Sequence, residues 1–83
     1  MTVQTKIKNI LLKNFGEDEI PANLRDDEPL FGMESRLGLD SIDALTFILA
    51  LETRYGVKFN EGKEKTGRIL RTINTIAEFV GTK

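Results

Sequence analysis

The 83-residue sequence contains no cysteine. Disulfides and thiolate metal sites are therefore excluded, and the fold does not depend on oxidation. It contains no histidine either, so the usual general base near neutral pH and the commonest metal ligand are both missing. No apolar run reaches the length of about 20 residues that a membrane span takes. The N-terminal stretch MTVQTKIKNILLKNF is interrupted by Lys6, Lys8 and Lys13 and has neither a secretory apolar core nor a small-residue cleavage site. The expectation is a cytoplasmic protein with no membrane insertion. Strand-like alternation is absent as well, which leaves helical periodicity as the organising pattern.

What is present suits one small domain, residues 1–83, with a single modest core, since a second domain would leave neither half enough apolar surface to fold. Net charge is −1, but nine of the 13 acidic residues lie between residues 17 and 43. Partners docking near that segment are expected to be basic, because complementary potentials speed encounter and fix orientation. A solvated acidic loop is the plain alternative.

Residues 3–15 have helical spacing, with Val3, Ile7, Ile10 and Leu11 on one face and Gly16 as a stop. Residues 16–40 hold both prolines, Pro21 and Pro29, together with Gly32 and Gly38. The connection exceeds the roughly 12–15 residues beyond which loops usually carry function. Ile20, Leu24, Leu30, Phe31, Met33, Leu37 and Leu39 can anchor it to a core. A strong helix is expected over 41–55, capped by Asp40 or Ser41, with Asp43 in its first turn and Gly56 as its end. A short helical piece is expected within 57–71. A last helix should start near Thr72, with Ile73, Ile76, Ala77 and Val80 on one face, Phe79 at its edge and Gly81 following. The sum is an all-α fold, a small four-helix bundle of three main helices and one short one, with a long loop between the first two.

The second helix carries two apolar stripes. Ala44, Phe47, Ile48, Leu51 and Tyr55 form an ordinary core face. Ile42, Leu45 and Leu49 lie well around the helix from it, and a surface helix needs only one such face. The second stripe either packs under the loop or the third region, or forms an exposed partner patch beside Ser41.

Ser41 itself, in LGLDSIDAL, admits three readings. It can be an N-cap, since Ser is among the commonest residues at that position, although Asp40 would cap as well. As a self-contained nucleophile it fails: there is no histidine, no Ser-x-x-Lys and no Gly-x-Ser-x-Gly, and Asp40 and Asp43 are too acidic to deprotonate an alcohol. As a site modified by another enzyme it fits, because that enzyme supplies base and metal while the unpaired N–H groups of a first helical turn favour a phosphate.

Gly38, Leu39, Asp40, Ser41, Ile42 and Asp43 resemble, in order, the attachment motif of acyl carrier proteins, and the resemblance extends through the loop element Glu28–Phe31 to the final helix. It implies a 4′-phosphopantetheine arm on Ser41, transferred from coenzyme A by a phosphopantetheinyl transferase, with Asp40 helping to position transferase and metal. It implies a thiol that arrives with the arm and holds acyl groups as thioesters. It further implies that Ile42, Asp43, Leu45, Leu49 and Glu52 meet acyl-transferring, condensing and modifying enzymes with basic docking surfaces. The chain would be a monomer and no enzyme, with no metal site of its own, and its core could shelter the acyl chain.

The helix departs from the strongly acidic pattern of fatty-acid carriers at Thr46, Thr53 and Arg54, and GKEKTGR is basic. A specialised carrier of polyketide, aryl-polyene or modified-lipid pathways is therefore read ahead of the housekeeping one. Leu39 before Asp40 argues against peptidyl carriers. An unmodified helical docking module using the Ile42, Leu45 and Leu49 stripe is the alternative. Lys63, Lys65, Arg68 and Arg71 are read as a solvated helix end rather than a nucleic-acid surface, given a pI near 5.4 and no interleaved aromatics. Asp26, Asp27 and Glu28 lack the spacing of a calcium loop.

Overall fold

A computed structural model describes residues 2–60 and 62–81, with four helices and no strand among them: α1 (Val3–Phe15), α2 (Ser41–Tyr55), α3 (Lys63–Ile69) and α4 (Ile73–Gly81). Each main helix starts where a side chain satisfies an orphan N–H. Thr2 Oγ1 accepts from the Thr5 N–H at 3.1 Å ahead of α1. Thr72 Oγ1 accepts from the Thr75 N–H at 3.0 Å, and Thr75 Oγ1 accepts back from the Thr72 N–H at 3.0 Å, ahead of α4. Gly56 closes α2 in the left-handed region, φ 68°, where a side chain would be strained. Gly81, expected just past α4, is its last residue.

Helix α1 packs against both α2 and α4, and α3 packs on α4. Ile7, Leu11, Phe47, Leu51, Ile73 and Ile76 are fully buried between them. Phe47 is the centre of the aromatic packing, with ring centroids 6.4 Å from Phe15 and 6.3 Å from Phe31. The Tyr55 hydroxyl is buried with no hydrogen-bond partner among the described residues. Removing an unsatisfied buried hydroxyl is neutral or favourable, so Tyr55→Phe should leave stability unchanged or raise it by up to about 1 kcal/mol in urea unfolding.

The connection between α1 and α2 is held from inside. Ile20, Leu24, Leu30, Leu37 and Leu39 are buried and Phe31 is half-buried against the core. Met33 is the correction to the expected anchors, because it is fully exposed. It follows Gly32, whose φ of 92° turns the chain outward there. Two main-chain bonds tie the connection to the far end of the bundle: Leu30 N–H to the Arg71 carbonyl and Asn74 N–H to the Asp26 carbonyl, each 2.9 Å.

Glu28 crosses this loop from within. Its carboxylate is buried and accepts from the Arg25 N–H at 2.8 Å, from Arg36 Nε at 2.8 Å and from Arg36 Nη2 at 2.9 Å. Arg36 also donates to Asn23 Oδ1 at 3.1 Å. The Arg36 fork, then the Arg25 N–H, hold the Glu28 pKa down at about 2 despite burial. Leu37 and Leu39, just beyond this lock, deliver the chain to α2.

Candidate functional site

Ser41 is the first residue of α2, and it does not cap it. The cap is Asp40, whose Oδ1 accepts from the Asp43 N–H at 2.9 Å while Asp43 Oδ2 accepts from the Asp40 N–H at 3.0 Å. The exchange is a capping box, with aspartate standing in for the usual Glu or Gln at the third helical position. The Asp43 charge also lies in the turn that the helix dipole favours. Of the two capping candidates in the sequence, Asp40 takes the role, and its carboxylate is thereby engaged with backbone.

Ser41 is left exposed, and its hydroxyl makes no hydrogen bond among the described residues. Its position is nevertheless fixed. Gly38, with φ 70°, turns the chain into the helix, and Leu39, buried next to it, pins the approach. Nearly two and nearly three turns further on, Phe47 and Leu51 lock α2 into the core.

An apolar cleft of about 420 Å³ opens beside the serine, lined by Phe31, Leu39, Ala44 and Leu70 together with Gly67 and Arg71. Helix α3 and the turn after it form the far wall. Gly67 contributes only backbone to that wall, and a Cβ added there would meet nothing within 4 Å. These features suit a 4′-phosphopantetheine arm: a free hydroxyl to esterify, first-turn N–H groups and one arginine near a phosphate, and apolar surface for the organic chain. Asp40 and Asp43, tied to each other's backbone, are the acids nearest in sequence to that point. No group of three or more metal-ligating side chains occurs among the described residues.

Ile42, Leu45 and Leu49 are exposed, at 71%, 61% and 63%. The stripe is thus a surface and not a second core face. Leu45→Asp should accordingly change stability by no more than about 0.5 kcal/mol by thermal or urea unfolding, whereas a buried stripe would unfold.

Glu52, expected at the partner surface, is half-buried, and its Oε2 accepts from the Phe59 N–H at 2.9 Å. It fastens the segment after α2 to the helix and leaves no free acid on α2 beyond the first turn. Thr46, Thr53 and Arg54 are exposed.

Sequence reasoning did not bring Phe31, Gly67, Leu70 or Arg71 to Ser41. They lie roughly 10–30 positions away, and no local pattern marks a cleft assembled from three separate segments. Arg71, grouped in the sequence with a solvated helix end, lines the wall facing the serine.

A family model described as phosphopantetheine attachment site matches residues 5–63. The match spans α1, the long connection, α2 and the approach to α3, and it contains Ser41. No curated protein and no solved structure matches the chain. No helix among the described residues is long and apolar enough to cross a membrane.

Proposed function

The chain belongs to the phosphopantetheine attachment site family, and from that premise we propose that it is an acyl carrier whose 4′-phosphopantetheine arm is attached to Ser41. The family carries its arm covalently, and membership supports reading this chain as a carrier rather than a catalyst. The observation that carries the assignment to Ser41 is the division of labour at the start of α2. Asp40 does the capping, so Ser41 presents an unengaged hydroxyl at a rigid first turn beside an apolar cleft.

The arm, when bound, supplies a thiol that holds an acyl group as a thioester, a chemistry the cysteine-free chain cannot provide. The chain's own part is to place one hydroxyl. A transferase supplies base and metal. The Ser41 oxygen gives its proton to that base and attacks the pantetheine-bearing phosphorus of coenzyme A. The pyrophosphate bond breaks and 3′,5′-adenosine bisphosphate leaves, and the first-turn N–H groups with Arg71 would face the added charge. Phe31, Leu39 and Leu70 offer apolar surface along which the arm lies between encounters.

Partners are a phosphopantetheinyl transferase and enzymes that load, extend or transfer acyl groups. Ile42, Leu45 and Leu49 form their apolar contact, with Asp43 at its edge. The acid-poor remainder of α2 supports a specialised carrier, serving polyketide, aryl-polyene or modified-lipid synthesis, over the housekeeping fatty-acid one. The setting proposed is cytoplasmic.

Intact-protein mass spectrometry tests the assignment. The protein is incubated with coenzyme A, magnesium and a broad-specificity phosphopantetheinyl transferase. A gain of one phosphopantetheine is expected. No gain, with a control carrier modified in the same mixture, would favour an unmodified docking module built on the same apolar stripe.

A further inference from the structure

On the side of α2 away from the Ser41 cleft, a groove of about 760 Å³ runs between α1 and α2. Its apolar floor is Ile10, Leu49 and Ala50, and Leu49 joins it to the exposed stripe. Lys13 and Arg54 line it, and they line a neighbouring recess together with Lys6. Among the described residues, no acidic side chain lines either depression and none of the three cations forms an ion pair.

Helix-dipole complementarity explains Lys13 and Arg54 singly, since each lies in the last turn of its helix. It explains neither Lys6 nor the meeting of all three cations around the recess that shares Ile10 with the groove. The acid that the sequence places on this helix, Glu52, is turned to the Phe59 N–H and offers the groove no counter-charge.

We propose that this groove docks an acidic amphipathic helix of a partner protein, with apolar side chains on Ile10, Leu49 and Ala50 and carboxylates against Lys6, Lys13 and Arg54. The polarity is opposite to that of the start of α2, where Asp40 is exposed and Asp43 half-buried on either side of Ser41. A partner engaging both ends must therefore be bipolar, which fixes its direction along α2. The identity of that partner as an acyl-handling enzyme rests on the carrier reading, but the groove itself does not. Protein is favoured over nucleic acid because the cations are few, no aromatic lines the groove and the chain as a whole has a net charge of −1.

The probes are two helical peptides with one leucine face, flanked in one by glutamates and in the other by lysines, titrated into the isotope-labelled protein and followed by amide NMR shifts. A single-stranded oligonucleotide is titrated in parallel. The glutamate peptide should shift the amides of Ile10, Lys13, Ala50 and Arg54. The Lys13→Glu, Arg54→Glu double variant should weaken it about tenfold or more, and added salt should weaken it in the parent. That variant should still accept phosphopantetheine on Ser41, which separates failure here from failure of the carrier assignment. Equal binding of both peptides, no binding of either, shifts confined to the Ile42 and Leu45 face, or tighter binding of the oligonucleotide would each overturn the proposal. So would self-association of the protein abolished by the double variant, since a second copy would then be the occupant.

Discussion

Ser41→Ala should fold like the parent and take up no phosphopantetheine. The side chain lost is exposed and makes no hydrogen bond among the described residues, alanine is the best helix former, and the cap stays with Asp40. Stability should therefore change by no more than about 0.5 kcal/mol, read by circular dichroism melting. Intact mass should stay that of the unmodified chain under conditions that convert the parent fully. Ser35, the sequence's other serine, offers no substitute. Its Oγ donates to the Leu30 carbonyl at 2.8 Å and accepts from the Leu37 N–H at 3.1 Å, so it is half-buried in the loop lock. Modification of the variant would move the attachment site to another hydroxyl. A variant that failed to fold would show that the Ser41 side chain has a structural role.

The largest loss of stability outside the hydrophobic core is expected from Glu28→Ala. Deleting the carboxylate leaves the Arg25 N–H without its acceptor and removes both oxygens that the Arg36 guanidinium grips. Charged, buried bonds of this kind are each worth more than neutral ones, and a cost of about 2–3 kcal/mol follows. For a domain of this size that is a fall in Tm on the order of 10 °C or more.

The same carboxylate sets an acid dependence. Its folded pKa of about 2 lies below the ordinary 4.5, so the folded state holds its proton more weakly than the unfolded chain does. Its contribution is fully present above pH 4.5, declines as pH falls below that value, and is gone below about 2. Glu28→Gln lacks this titration. The stability difference between parent and Glu28→Gln, measured by urea unfolding, should therefore shrink as pH falls through that window. A constant difference would mean that the pair is not formed in solution.

The lock also has a functional consequence. Phe31, which lines the cleft beside Ser41, lies between Glu28 and Arg36 in the chain. Loosening the pair should therefore loosen that wall of the site.

Much of this was legible in the sequence because its determinants are local. Helix α1 declares itself through Ile7 and Leu11 at four-residue spacing and a stop at Gly16, and α4 through Ile73, Ile76, Ala77 and Val80. These patterns depend only on the helical period and on backbone conformations that glycine tolerates. The Gly-Leu-Asp-Ser-Ile-Asp run was equally local, so the candidate serine, the kind of arm it would carry and the family could be read before any fold was known.

Other matters depended on which distant residues meet. Two adjacent residues, Asp40 and Ser41, could each cap α2, and only the backbone geometry at the helix start gave the cap to Asp40 and left the serine's hydroxyl unengaged. The apolar stripe of Ile42, Leu45 and Leu49 had the same composition whether buried or exposed, and it is exposed because the loop packs elsewhere. Glu52 read as a surface acid until the segment after α2 brought the Phe59 N–H to it. Met33 read as an anchor, but Gly32 turned the chain away from the core. The cleft beside Ser41 and the basic groove on the other side of α2 are assembled from residues far apart in the chain. Periodicity fixes what one helix presents, while the packing of α1, α3 and the loop around α2 decides what each presented side chain meets.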